Sequence, residues 1–205
     1  MIVLENRMYF DGPALSTDKG TIDVYENLFK RFFPYAYNLT SGASGPRIYS
    51  KYPLSNIEYI VVDYGDGSIG RRPLTAKIEV GGKEIYIVAC HPEAGSNVYE
   101  TKRVPYFNAI AEWAKNKENV IIAGDLNTDS TDYVSELNVF KNDFTFGNFG
   151  EFGTFQTYRF GPLPSDKYLD NILVKGLEMK NFWVGTETYS DHFPIYSEIY
   201  LTQEQ

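Results

Sequence analysis

The sequence of 205 residues has little of what disulfides, membrane helices and secretion signals are made from. Cys90 is its only cysteine, which excludes an internal disulfide and any multi-cysteine zinc site. No stretch approaches the roughly 18 to 20 uncharged apolar residues that a membrane helix needs. Glu5 and Arg7 interrupt the start of the chain, where a signal peptide would need an unbroken apolar run. The sequence therefore predicts a soluble domain and leaves its compartment undetermined.

Basic residues are also few. Lys and Arg number 19 against 27 Asp and Glu, which gives a formal net charge of −8. Proteins that coat nucleic acid gain most of their affinity from Lys and Arg on phosphates, so this balance argues against such a role. The acidic balance is still compatible with an enzyme that binds phosphate through a divalent cation, because the cation inverts the local electric field.

What the sequence does contain is enough apolar and aromatic material for one well-buried domain spanning residues 1–205. Hydrophobic residues make up 43% of the chain and aromatic residues 16%, so ring packing is expected to contribute much of the core. No repeat, low-complexity tract or long linker marks a domain boundary.

Strand patterns outnumber helix patterns. Helical spacing of apolar residues predicts helices over Thr21–Phe33, Arg103–Lys117 and, more briefly, Asp132–Leu137. Alternating or continuous apolar runs predict strands over Arg47–Ser50, Ile57–Val62, Leu74–Val80, Ile85–Cys90, Val120–Ala123, Tyr168–Val174, Phe182–Thr188 and Ile195–Leu201. Gly81 and Gly82 predict a two-residue hairpin turn. Residues 140–164 are predicted to form an ordered aromatic loop. Hairpins and buried strands with helices outside them favour an α/β sandwich of two sheets.

Polar residues interrupt or follow the buried strands, and these are the candidates for function. They are His91, Asp125, Asn127, Asp170, Asp191 and His192, which include both histidines of the chain. Because ligands bind at strand ends in open α/β sheets, these side chains could converge on one cleft. Each also has an ordinary explanation, since Asp125 and Asn127 could form a local turn and Asp170 could be a strand-edge carboxylate.

Taken in order, these segments resemble the endonuclease/exonuclease/phosphatase superfamily, which includes deoxyribonuclease I, abasic-site endonucleases, sphingomyelinases and inositol polyphosphate phosphatases. Residues 120–127 (VIIAGDLN) resemble its GD-x-N motif, and residues 190–195 (SDHFPI) resemble its SDH-x-P motif. Residues 168–174 (YLDNILV), 87–91 (IVACH) and 47–54 (RIYSKYPL) are similar to three further segments of the family. GD-x-N alone is a weak signal, whereas the ordered set spans nearly the whole chain and is specific.

The resemblance implies a four-layer α/β sandwich of two mixed sheets flanked by helices, as in deoxyribonuclease I, and a phosphoesterase dependent on Mg²⁺ or Mn²⁺. By resemblance, Asp125 orients or deprotonates the attacking water and Asn127 binds the phosphate. His192 contacts the phosphoryl group and is held by Asp170, while His91 assists proton transfer or phosphate binding.

The resemblance places the metal on Glu5 and Asp191, and the N-terminus departs from the family pattern there. Residues 1–6 (MIVLEN) are similar to the strand that ends in a metal-binding Glu, but the preceding Gln is absent and Asn6 is an alternative alignment. No segment matches the first strand of the family with its Asn. We expect either a chain truncated before that strand or a metal site that works with fewer ligands.

Two functions remain open at this stage. The first is divalent-metal-dependent hydrolysis of a phosphoester in a nucleic acid, a lipid head group or a small molecule, with no obligate protein partner evident. The second is a catalytically impaired binding or scaffold domain with the same fold, which the missing strand motivates.

Overall fold

The structure is a computed structural model that describes residues 2–3, 29–37, 46–95, 99–128, 136–149, 152–155, 167–186 and 192–202. Its strands are β1 (Ile2–Val3), β2 (Tyr35–Tyr37), β3 (Arg47–Ser50), β4 (Ser55–Tyr59), β5 (Leu74–Val80), β6 (Lys83–Cys90), β7 (Val120–Asp125), β8 (Thr145–Phe146), β9 (Asp170–Lys175), β10 (Leu177–Val184) and β11 (Ile195–Leu201). A π-helical turn (Tyr99–Arg103) leads into helix α1 (Val104–Ala114), and a 3₁₀ turn covers Asn138–Phe140.

A six-stranded mixed sheet forms the centre, with the strand order β4-β5-β6-β7-β9-β8. Strands β6 and β7 are parallel, whereas β7 and β9 are antiparallel. Among the described residues, β1-β3-β2 and β10-β11 form two further ladders. The second sheet predicted from the sequence therefore consists of two separate ladders in this part of the chain.

The two faces of the central sheet bury different layers. On one face, Val88, Ile122 and Leu173 pack against Tyr106 and Phe107 of α1. On the other face, apolar residues of the central strands pack against those of β10 and β11, and a neighbouring cluster packs against Ile48 of β3. This layering confirms the predicted α/β sandwich.

Most predicted strands agree with the structure, and the differences have local causes. The strand predicted over Ile57–Val62 lies at Ser55–Tyr59 instead. It pairs up to Tyr59 opposite Leu74. The N–H of Ile60 still donates to the carbonyl oxygen of Pro73 at 3.0 Å, but Pro73 has no N–H to donate in return, so the ladder ends there. β10 begins five residues earlier than predicted because Gly176, with φ of +68°, allows a tight turn directly after β9.

The helix predictions have mixed outcomes. The helix predicted over Arg103–Lys117 is α1, which ends at Ala114. Of the helix predicted over Thr21–Phe33, residues 29–32 are described and are helical, and the Phe29 ring packs 5.2 Å from the Tyr49 ring. The short helix predicted over Asp132–Leu137 lies largely outside the described residues. No helix in the described ranges is long and apolar enough to cross a membrane.

Candidate active site

Strand register alone brings three of the predicted residues to one end of the central sheet. Cys90 of β6 pairs with Gly124 of β7, so His91 follows directly beside Asp125. Asp125 in turn pairs with Asp170, the first residue of β9. Because the two pairings lie at the same end of adjacent strands, His91, Asp125 and Asp170 form a row across the edge of the sheet.

His192 joins this row from the segment before β11. Its Nδ1 lies 2.7 Å from Asp170 Oδ2, which is the hydrogen bond expected between these two residues. The segment is held in place by the N–H of Phe193, which donates to the carbonyl oxygen of Thr154 at 2.8 Å. With Nδ1 held by a carboxylate, Nε2 is the ring nitrogen of His192 that lies on the side of Asp125.

Asp125 sits between the two histidines. Its Oδ2 lies 3.7 Å from His91 Nε2 and 3.8 Å from His192 Nε2. Burial, followed by the negative charge of Asp170, raises the pKa of Asp125 from 3.8 to about 7. The His192 charge, the N–H of Asn127 and Arg71 act in the opposite direction. The arrangement gives a buried carboxyl group that can exchange a proton near neutral pH.

Asn127 adopts the local turn conformation and also reaches across to the segment that follows β6. Its backbone has φ of +49°, and its N–H donates to Asp125 Oδ1 at 2.7 Å. Its side-chain Nδ2 donates to the carbonyl oxygen of Pro92 at 3.0 Å. An amide nitrogen carries two hydrogens, so Nδ2 can donate to a second acceptor as well. The structure confirms the local turn for this motif, and its functional role stays a prediction.

Residue 124 has to be glycine because β6 and β7 lie very close together there. It has φ of +140°, and a Cβ at this position would lie 2.2 Å from the carbonyl oxygen of Cys90. Only glycine allows β6 and β7 to approach this closely at the residues that carry His91 and Asp125.

Arg71 is a residue at the site that sequence reasoning missed. Its Nη1 donates to the carbonyl oxygen of Pro92 at 3.2 Å, so Pro92 accepts from both Arg71 and Asn127. Its charge favours the ionised form of Asp125, and its side chain is 31% exposed. In the sequence, Arg71 stands out only as half of the basic pair with Arg72, and nothing local indicates that it faces Asp125.

The region predicted as an aromatic loop contains the end of the 3₁₀ turn and strand β8, and it divides into buried and exposed parts. Phe140, Phe144 and Phe146 are in the core. Phe149 is 68% exposed and Phe152 41% exposed. The ring of Phe155 meets the His192 ring edge-on at 5.0 Å, so Phe155 packs directly against the site.

The predicted metal ligands Glu5 and Asp191 lie outside the described residues. Within the described ranges, no group of three or more His, Cys, Asp and Glu side chains is arranged to hold a metal ion. Carboxylate oxygens suit a hard divalent cation, and Asp125 and Asp170 are two buried carboxylates on adjoining strands beside which such a cation would fit. Burial and then the charge of Asp170 raise the pKa of Asp125, and a nearby cation would act against both.

Comparison with known proteins identifies the class to which this fold and site belong. The sequence pattern of the Endonuclease/Exonuclease/phosphatase family matches residues 7–192. The chain therefore belongs to that family, whose members are hydrolases that act on phosphoesters. Among proteins with curated functions, none matches the sequence significantly.

Solved structures share the fold at low sequence identity. An endonuclease/exonuclease/phosphatase from Beutenbergia cavernae superposes with a TM-score of 0.75 at 16% identity, covering 98% of this chain and 62% of its own. D. rerio TDP2, solved with a single-strand DNA product, gives 0.66 at 16% identity, with 87% and 82% covered. Sphingomyelinase C from Streptomyces griseocarneus gives 0.60 at 19% identity, also with 87% and 82% covered.

Proposed function

We propose that this protein hydrolyses a phosphoester bond with the help of a divalent cation, Mg²⁺ or Mn²⁺. The observation that supports this most strongly is the Asp170–His192 hydrogen bond beside the buried Asp125, since water activation and phosphate contact need these groups together. Family membership supports hydrolysis of a phosphoester in general, and the residue roles below are part of the proposal.

In this proposal Asp125 is the general base. It orients a water molecule for in-line attack on phosphorus and accepts the proton as the new O–P bond forms and the bond to the leaving oxygen breaks. A base is most effective when its pKa lies near the working pH, and burial raises the pKa of Asp125 to about 7.

Four side chains are assigned to the phosphoryl group. His192, fixed by Asp170, presents Nε2 to a phosphoryl oxygen. Asn127 offers its second amide hydrogen, and Arg71 offers a partly exposed guanidinium beside it. His91 faces Asp125 from the other side, and we assign it to phosphate binding or to transfer of the proton. Charge-assisted donors of this kind stabilise the charge that develops on phosphoryl oxygens.

Glu5 and Asp191 would hold the cation, and their carboxylates suit Mg²⁺ or Mn²⁺. When bound, the cation supplies charge neutralisation on the phosphoryl oxygens and stabilises the leaving oxygen. We expect these two carboxylates to lie close enough to hold one ion between them.

The substrate is proposed only as a class. TDP2 was solved with a DNA product and the Streptomyces relative is a sphingomyelinase, so similar folds serve phosphoesters of different size and polarity. We therefore keep nucleic acid, lipid head groups and small phosphoesters as candidates, because loops around a shared site set specificity.

The experiment is a phosphoester panel with pure protein. Bis-p-nitrophenyl phosphate, plasmid DNA, sphingomyelin and a sugar phosphate are incubated with Mg²⁺, Mn²⁺ or EDTA, with the Asp125→Asn variant as the matched control. We expect turnover of at least one substrate that EDTA abolishes and that Asp125→Asn lowers by about 10² to 10⁴-fold.

A folded protein with no EDTA-sensitive turnover on any substrate would contradict the proposal. That result would favour the alternative, a catalytically impaired binding or scaffold domain. Circular dichroism on the same sample establishes that the protein is folded.

A further inference from the structure

The segment that carries His91 is neither helix nor strand, although the site depends on where it lies. Residues 91–95 follow β6 as irregular backbone. His91 has to stay within reach of Asp125, and the carbonyl oxygen of Pro92 is the acceptor for Asn127. Something other than a strand ladder must therefore hold this backbone.

Arg103 holds the far end of the segment. Its Nη1 donates to the carbonyl oxygen of Gly95 at 2.6 Å and, more weakly, to that of Glu93 at 3.4 Å. The near end is held from α1, which begins at the residue after Arg103, since the N–H of His91 donates to the hydroxyl oxygen of Tyr106 at 3.0 Å. Arg103 and the start of α1 thus contact both ends of the segment.

Arg103 is itself fixed by a buried carboxylate. Its Nε lies 2.8 Å from Glu136 Oε2 and its Nη2 lies 2.7 Å from Glu136 Oε1, which is a bidentate pair. Arg103 is only 5% exposed and Glu136 6% exposed. The planar guanidinium can bind a carboxylate on one edge and carbonyl oxygens on another, which a lysine ammonium cannot reproduce.

A buried ion pair is a poor source of stability, because desolvation offsets most of the attraction. Apolar side chains of similar volume usually serve the fold as well or better. The pair between Arg103 and Glu136 therefore calls for a reason other than stability, and the carbonyl oxygens of the His91 segment supply one.

We propose that Arg103, held by its ion pair with Glu136, is a positioning residue for residues 91–95. It keeps His91 facing Asp125 and keeps the carbonyl oxygen of Pro92 in place to accept the hydrogen bond from Asn127. The effect on turnover rests on the proposed phosphoesterase function. The effect on His91 itself does not, and it can be measured without any substrate.

A double variant separates the effect of Arg103 on the position of residues 91–95 from its effect on the stability of the protein. Arg103→Met alone leaves Glu136 buried without its cation, and we expect it to be destabilised. Arg103→Met with Glu136→Leu replaces the pair by apolar groups and should bring the melting temperature back near that of the wild type. Turnover should not return with it: we expect kcat to stay about 10- to 100-fold below wild type, with KM little changed.

A second readout uses the fact that the chain has only two histidines. Ring ¹H–¹³C correlations give one set of signals for each, and His192→Ala assigns them. In the double variant the His91 signals should shift, whereas those of His192 should stay, because Asp170 still holds that ring.

Arg103→Lys is the conservative variant, and it serves if the double variant does not fold. It keeps the charge beside Glu136 but cannot also reach both carbonyl oxygens, so it should lower kcat and shift the His91 signals. Lys175→Met is the matched control. Lys175 also donates to carbonyl oxygens at one end of α1, those of Ala114 and Lys115 at 3.1 Å, but at the opposite end of β9 from Asp170.

Wild-type kcat and unshifted His91 signals in a folded double variant or in Arg103→Lys would overturn the proposal and leave the ion pair a purely structural feature. If wild-type protein shows no turnover, the proposed function fails, and the His91 signals alone decide whether Arg103 positions the segment.

Discussion

The hydrogen bond between His192 Nδ1 and Asp170 Oδ2 fixes the orientation of the ring, with Nε2 on the side of Asp125. Asp170→Asn keeps the shape of this contact but removes the charge and can stabilise the wrong tautomer. We expect kcat to fall by about 10² to 10⁴-fold. Steady-state kinetics of Asp170→Asn, His192→Ala and the double variant check this.

Because the two residues act as one unit, the double variant should lose little more activity than the worse single variant. Losses that multiply in the double variant would show that the two side chains act independently. The melting temperatures of all three variants serve as the control for folding.

A second prediction at the residue scale concerns Asp125 and the pH dependence of stability. Its pKa is about 7 in the folded protein against an ordinary value of 3.8, so the folded state keeps a proton that the unfolded state has lost. Stability should therefore fall as the pH rises from about 4 to about 7, since the folded state binds more protons over that window. Asp125→Asn should weaken this fall and raise the melting temperature at pH 8.

The measurement is thermal unfolding between pH 4 and pH 8 in EDTA, which keeps cations away from the carboxylates. Asp143→Asn, which changes an exposed carboxylate, is the matched control. If the melting temperature of Asp125→Asn depends on pH as steeply as that of the wild type, ionisation of Asp125 does not destabilise the folded protein.

At the scale of elements, the close contact of β6 and β7 sets the distance between His91 and Asp125. A Cβ on residue 124 would lie 2.2 Å from the carbonyl oxygen of Cys90, so Gly124→Ala must separate the strands where the site is built. We expect lower stability together with at least a 10-fold loss of kcat, because misplacement by about 1 Å can cost 10²-fold.

Gly82→Ala is the matched control for this effect. Gly82 also has a positive φ, of +78°, but nothing lies within 4 Å of a Cβ there. It should lose stability through backbone strain alone and keep its kcat. Equal kcat values for the two variants would show that strand spacing does not govern the site.

At the scale of the whole molecule, the net charge predicts how activity depends on salt concentration. With a formal net charge of −8, the chain has little to gain from contact with many phosphates at once. We expect kcat/KM on plasmid DNA, as on a small phosphodiester, to change by less than about 3-fold between 50 and 200 mM NaCl. A protein making 6 to 10 phosphate contacts would lose about 10³ to 10⁵ in affinity over the same range.

Rates measured on bis-p-nitrophenyl phosphate and on plasmid DNA at several salt concentrations test this expectation. A steep salt dependence on DNA would point to a basic surface that the overall charge conceals. The rate on the small diester is the internal control, because it has a single phosphate to contact.

Sequence predicted which polar residues meet at one end of the central sheet better than it predicted where the elements begin and end. His91, Asp125 and Asp170 follow or begin strongly apolar strands, and such strands are readable because burial on both faces leaves a continuous apolar run. Strand ends were less predictable, since Pro73 stops the pairing of β4 from the opposite strand. That information lies in the partner strand and not in the segment itself.

The sequence by itself determined where the apolar runs of the strands lie and which polar residues stand at their ends. It also determined the position of Gly124, which the close contact of β6 and β7 requires. These are local properties of the chain, set by side-chain size, polarity and backbone freedom. Only the tertiary structure decided that Arg71 acts on Asp125 and that Arg103 joins Glu136 to the carbonyl oxygens of Glu93 and Gly95. Arg103 and Glu136 are 33 residues apart, and their contact depends on how α1 packs on the sheet, which no local pattern encodes.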